Sequence, residues 1–168
     1  MKRWHKLLIA GVCIGMSIIL ISGCGTSKKD DRRIIRVGHN QATDHPTNIA
    51  LMEFEEYIES KLGDKYNVEV YPSELLGSQT DMVQLTQTGA IDFCVASNSI
   101  LETFSENYTL FNMPFLFDTT QAYHAAMDDP KIIEPIFEST KQAGFEAVTW
   151  IDAGTRNFYT VSKPIEKP

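Results

Sequence analysis

Three short runs of β-branched and aromatic residues, each leading into a polar loop, alternate with two stretches whose apolar residues recur at helical spacing. That order leaves the chain few folds to choose from. The first run, Ile34-Ile35-Arg36-Val37-Gly38, opens into a polar loop that extends through His45-Pro46. Thr47 is placed to cap a helix in which Ile49, Ala50, Leu51, Phe54, Tyr57, Ile58 and Leu62 repeat every three or four positions, with Gly63 as its stop. Tyr66 to Tyr71 carries Val68 and Val70 on one face and is halted by Pro72 and the turn at Gly77. A second helix is expected from about Thr80 to Thr88, ended by Gly89. Ile91-Asp92-Phe93-Cys94-Val95-Ala96 then reads as a strand apolar enough to be buried on both faces of a parallel sheet. The sequence β-α-β-α-β specifies an open α/β sheet, because parallel neighbours need a crossover long enough to hold a helix.

Beyond Ala96 the pattern is broken by a stiff apolar segment, Asn112-Met113-Pro114-Phe115-Leu116-Phe117. Helices are expected at about Thr120 to Met127 and Lys131 to Ala143, a strand at Glu146 to Ile151, and a last strand at Asn157 to Val161 before Pro164 and Pro168. With 43% apolar and 22% charged residues the composition is that of a globular protein.

The N-terminus has a different chemistry. Lys2, Arg3 and Lys6 precede an uncharged run from Leu7 to Ile21, which ends in Ile21-Ser22-Gly23-Cys24. Residues 1–23 therefore read as a lipoprotein signal peptide. The cations hold the cytoplasmic side, the apolar run enters the translocon, and small Ser22 and Gly23 admit a peptidase beside Cys24, the expected lipidation site. The alternative is a plain transmembrane anchor, and both readings put the body outside the cytoplasm. Residues 24–33, polar and without periodicity, are expected to form a flexible tether. Without residues 1–23 the chain has 12 basic against 22 acidic side chains, a charge of about −10. So acidic a body repels nucleic acid, which is excluded as a partner.

Cys94 is the one cysteine outside the signal and the lipidation site, so no disulfide framework is expected; in an apolar run it reads as a small hydrophobe. His39, His45 and His124 lack metal-ligand spacing and are expected on the surface, and no cofactor is expected. None of the hydrolase, zinc-protease or phosphate-loop motifs is present, so an enzyme is not expected.

In an open parallel sheet, ligands bind beyond the carboxyl ends of the strands. The expected strands lead there into Gly38-His39-Asn40-Gln41, Ser73 to Thr80, and Ser97-Asn98-Ser99, all able to form hydrogen bonds. Arg156 follows Asp152-Ala153-Gly154-Thr155 at the entry to the last strand, where a guanidinium can clamp a carboxylate through two parallel hydrogen bonds; by position alone, however, it reads as an ordinary surface cation.

Five stretches, Val70-Tyr71-Pro72-Ser73-Glu74-Leu75-Leu76-Gly77, Thr88-Gly89-Ala90-Ile91-Asp92, Met113-Pro114-Phe115-Leu116-Phe117, Gly154-Thr155-Arg156 and Lys163-Pro164-Ile165, occur in an order and spacing that resemble the solute-binding proteins of tripartite ATP-independent periplasmic (TRAP) transporters, the DctP family. The resemblance runs over residues 34–168. It implies a periplasmic-binding-protein-like α/β sheet flanked by helices, the first lobe of a two-lobed fold, which captures a dicarboxylate or other organic acid for an ion-driven membrane permease. By resemblance, Arg156 matches an arginine that contacts the ligand carboxylate, Asn40 a polar residue of the first loop, and Gln79 and Ser97 loop positions lining the first lobe; His45 and Asn98 are further lining candidates. Gln79 and Ser97 stand where other members carry acids, which argues against a sialic acid. On this reading residues 34–151 are the first lobe and 152–168 a crossover into a second lobe that is largely missing, since family members continue past Lys163-Pro164. A truncated product, or completion by a second polypeptide, is then expected, and a chain acting alone is expected to bind ligand weakly or not at all, because a cleft needs two walls. The other reading left by the sequence is a remnant or surface lipoprotein with only an interaction role.

Overall fold

The computed structural model describes residues 30–114, 116–154, 160, 161 and 163. Its described residues from Arg32 onward belong to one packing unit. The expected signal peptide with Cys24, Arg156, and the last strand apart from Thr160 and Val161 lie outside the described residues.

A three-stranded parallel sheet carries the first half, in the order β2-β1-β3. Strand β1 (Arg33–Gly38) pairs along its whole length with β2 (Tyr66–Tyr71), Val37 lying beside Val70 and Gly38 beside Tyr71. On its other side β1 pairs with β3 (Phe93–Cys94), and Val95 N–H adds a bond to Gly38 O at 2.9 Å. Helix α1 (Pro46–Leu62) connects β1 to β2 and α2 (Gln79–Gln87) connects β2 to β3. Val37 and Val68 from the sheet, Met82 and Val83 from α2, and Ile91 are all buried, forming the sheet's core. A Cβ on Gly38 would stand 2.7 Å from the Met82 sulfur, so the helix packs as close as it does because that position has no side chain.

Several expectations need correction. His45, rather than Thr47, caps α1: its Nδ1 accepts from the Thr47 N–H at 3.1 Å, and Thr47 itself is buried in the first turn. The run Ile91–Ala96 is not buried on both faces. It forms only a two-residue strand with Phe93 41% exposed, because β3 has β1 on one side and no described strand on the other. Glu146–Ile151 is not a strand. Val148, Thr149 and Trp150 have strand propensity, but a strand exists only beside a hydrogen-bonded neighbour, and none of the described residues provides one. The run is held instead by Ala147 N–H on Thr140 Oγ1 and by Trp150 packing edge-on to Tyr123.

The second half is helical: a short α3 (Asn98–Leu101), a 3₁₀ segment at Glu106–Asn112, α4 (Thr120–Met127) and α5 (Pro130–Ser139), the last continued as 3₁₀ turns over Thr140–Ala143. Its core is Tyr108, Met127, Ile133 and Ile136, with Phe111, Tyr123, Phe137 and Trp150 packed around them. Ile133 and Ile136, three apart on α5, face this cluster, as an amphipathic helix requires. Among the described residues no helix is long and apolar enough to cross a membrane.

Candidate functional site

Parallel strands deliver their C-terminal loops to one edge of the sheet, and a cleft of about 1030 Å³ opens there. Asn40 and Gln41 from the loop after β1, Gln79 at the start of α2, and Ser97, Asn98 and Ser99 after β3 line its polar part. Leu51 and Phe54 of α1, Phe93, Tyr108, Phe111 and the run from Phe145 to Gly154 line the rest.

The loops that carry these polar residues are held by identifiable contacts. The first loop turns on His39, whose side chain is completely buried. Nδ1 of His39 accepts from the Gln41 N–H at 3.2 Å, and Nε2 lies 3.1 Å from Asn48 Oδ1, so one proton on Nε2 satisfies both ends. Asn48 in turn donates to Thr43 O at 2.8 Å, closing the loop against the start of α1. Burial lowers the His39 pKa, the Asn48 hydrogen bond opposes this, and the nearby charge of His45 lowers it further. The first and second loops are then zipped by backbone bonds: His39 N–H to Tyr71 O, Ser73 N–H to Gln41 O and Glu74 N–H to His39 O, each at 3.0 Å. That zip holds Ser73 and Glu74 at φ of 54° and 60°, left-handed values costly for residues with a Cβ.

Helix α2 begins with a capping box. Ser78 Oγ accepts from Asp81 N–H at 3.3 Å, and Asp81 Oδ2 accepts from Ser78 N–H at 3.0 Å. The Ser78 hydroxyl also donates to Asp81 Oδ2 at 2.6 Å, and that bond, with the Ser78 N–H, lowers the Asp81 pKa. The box sets Gln79 at the mouth of the cleft, where its Oε1 accepts the Ser97 N–H at 2.7 Å. The carbonyl is thereby occupied within the protein, and the group Gln79 can offer a solute is its NH₂. Ser97 and Ser99 hydroxyls lie 3.0 Å apart, and Asn98 opens α3 beside them. Amide NH₂ groups and hydroxyls of this kind suit carboxylate and hydroxyl oxygens.

The structure thus brings Asn40, Gln79, Ser97 and Asn98 to one cleft. His45 is not among the lining residues, being engaged as a helix cap. His39, expected at the surface, is buried because its ring has two partners. Cys94 lines the cleft half-buried; burial pushes its thiol pKa up against the pull of a hydrogen bond with Thr86, so it stays protonated. Among the described residues no group of three or more His, Cys, Asp and Glu side chains is placed to hold a metal ion.

Sequence reasoning overlooked the acidic part of the lining: Asp92, Glu146 and Asp152. Asp92 accepts from Arg33 Nη2 and from the Arg36 N–H, both at 2.9 Å, and Glu146 pairs with Lys141 at 3.1 Å. Asp152 meets His124 Nε2 through Oδ2 at 2.7 Å and the Gly154 N–H through Oδ1 at 2.7 Å. Only its place four residues before Arg156 pointed to it.

Residues 37–168 match the DctP pattern, that of bacterial extracellular solute-binding proteins, family 7. The chain belongs to this family. Among solved structures, a TRAP periplasmic solute-binding protein of Anaerococcus prevotii with bound α/β D-glucuronate is 66% identical, superposes with a TM-score of 0.76, and is matched over 80% of this chain and 44% of that one. A TRAP periplasmic solute-binding protein of a Sulfitobacter species with bound β-D-galacturonate is 26% identical with a TM-score of 0.71, over 79% of this chain and 44% of that one. The uncharacterized protein YiiZ of Salmonella typhimurium is 36% identical over 80% of this chain and 41% of its own length. The chain therefore spans less than half the length of these DctP-family relatives. The α/β sheet with flanking helices is the fold of TRAP solute-binding proteins, as the resemblance implied.

Proposed function

We propose that the chain is the first lobe of the extracytoplasmic solute-binding subunit of a TRAP transporter and that its solute is a hexuronate such as D-glucuronate. The observation that carries this reading is the 66% identity, over 80% of this chain, to a TRAP protein holding D-glucuronate. The chemistry of the cleft supports it. Its polar part consists of amide and hydroxyl groups, and the charged residues among its described lining are all acids, a setting hostile to a second carboxylate on the ligand. In this reading Arg156 clamps the uronate carboxylate, and Asn40, Gln79, Ser97 and Asn98 meet its remaining oxygens. Lipidation at Cys24 tethers the protein to the outer face of the cytoplasmic membrane, and TRAP permease subunits receive the solute.

Thermal shift of the purified chain with D-glucuronate, D-galacturonate, succinate and L-malate tests the assignment. Stabilisation by ligand follows RT ln(1 + [L]/Kd), so even millimolar binding registers at high ligand concentration. Uronates should raise the midpoint more than the two dicarboxylates do. A preference for succinate or malate refutes the hexuronate reading.

A further inference from the structure

We infer that Asp152, held by His124 and flanked by the rings of Tyr123 and Trp150, is the specificity residue of the cleft, accepting hydrogen bonds from ligand hydroxyls and turning away a second carboxylate. This deepens the hexuronate reading and rests on it.

Position comes first. Asp152 lines the main cleft and also a smaller cavity of about 240 Å³, shared with Phe117, Thr119, Thr120 and Tyr123, so it stands where the two meet. Its orientation is fixed from two sides, by Gly154 N–H on one oxygen and His124 on the other. A carboxylate has about four lone-pair directions, and the described residues use two of them. The side chain is 38% exposed, so the remaining directions are open to a solute.

Charge comes second. Asp92 and Glu146 each have an Arg or Lys beside them, whereas among the described residues Asp152 is held by the His124 ring and the Gly154 N–H. The Gly154 N–H and then the His124 hydrogen bond lower the Asp152 pKa, so it remains an acceptor-only anion at neutral pH. An ionised dicarboxylate such as succinate has no hydroxyl to donate and brings a second negative charge; a hexuronate has one carboxylate and several hydroxyl donors. The surrounding rings match the same ligand. Tyr123 lies edge-on to Trp150 at 5.8 Å and to Phe117 at 5.3 Å, forming an apolar wall for the C–H face of a pyranose.

The test compares a sugar acid carrying one carboxylate with its open-chain relative carrying two, and the variant isolates the effect of charge. D-Glucarate is D-glucuronate with its aldehyde carbon oxidised to a second carboxylate. By calorimetry or thermal shift the wild-type chain should bind D-glucuronate at least tenfold more tightly than D-glucarate. Asp152→Asn, which keeps the shape and removes the charge, should reduce that ratio at least fivefold. Equal wild-type affinities, or an unchanged ratio in the variant, overturn the role of Asp152 and leave the hexuronate reading standing. If the wild-type chain takes succinate in preference, both fall; if it takes none of these acids, the role assigned to Asp152 in this chain falls. The wild-type comparison needs no variant, so a misfolded Asp152→Asn does not remove the test.

Discussion

Replacing His39 should separate the two bonds that shape the first loop. The imidazole is completely buried, with one nitrogen accepting from Gln41 and the other bonded to Asn48. His39→Ala orphans both partners, each at about 1–3 kcal/mol, and leaves a cavity, for a total of about 3–5 kcal/mol. In His39→Gln the amide NH₂ reaches the place of Nε2 and keeps the Asn48 bond, so only the Gln41 N–H loses its partner, at about 1–3 kcal/mol. Acidity adds a second signature. Because burial lowers the folded pKa, the unfolded chain binds a proton at His39 below about pH 6.5 while the folded chain does not. The stability this neutral imidazole contributes is therefore full above the unfolded pKa and is lost on acidification, by up to about 1.4 kcal/mol per pH unit, until the folded group also protonates. Urea unfolding of wild type and His39→Gln at pH 7.5 and 5.5 reads both effects, and subtracting the two proteins cancels the other titrating groups. Parallel pH dependences in the two proteins, or a cost below about 1 kcal/mol for His39→Ala, would refute the reasoning.

Tyr108 is buried with no hydrogen-bond partner for its hydroxyl among the described residues, and burial pushes its pKa up to about 12; Tyr108→Phe should stabilise the chain by about 1 kcal/mol in urea titration, and a clear loss would reveal a partner for the hydroxyl. Gly77 has φ of 109° and its added Cβ would stand 3.0 Å from Asp81 Cβ, so Gly77→Ala should lower stability by about 1–2 kcal/mol, measured the same way; an unchanged midpoint would contradict this. Ser73→Gly and Glu74→Gly should each be neutral or stabilising by up to about 1 kcal/mol, because the strain removed exceeds the added chain entropy; destabilisation beyond 1 kcal/mol would show that the side chains matter more than φ. Ser78→Ala should cost about 1 kcal/mol by opening the capping box, seen as a lower urea midpoint, and no change would mean that solvent replaces the cap.

The sheet was legible because period-two runs and helical runs are separated by strong punctuation. Tyr66–Tyr71 and Thr120–Met127 have the bounds expected from their flanking residues. What local pattern misses is the neighbour. Glu146–Ile151 has strand-forming residues and lacks a described strand beside it, and the turns at Asn98–Leu101 and Glu106–Asn112 have too short a period to stand out. At the candidate site, the loops after β1 and β3 were foreseeable, since parallel strands send their C-terminal ends the same way. The burial of His39 was not, because its partner Asn48 lies on a helix nine residues away; nor was Asp152, whose partner His124 is separated from it by α5.

The zip between Gly38–Gln41 and Tyr71–Glu74 has a mechanical consequence. Main-chain bonds do not depend on which side chains the two loop tips carry, so Asn40 can be exchanged without loosening the support beneath it. Among the described residues the wall from Phe145 to Gly154 is held through side chains, Thr140 under Ala147, Lys141 on Glu146, and Trp150 and Asp152 themselves, so exchanges there alter grip and shape together. Selection for a new solute would therefore act as a fine adjustment on the first wall and as a remodelling of the second.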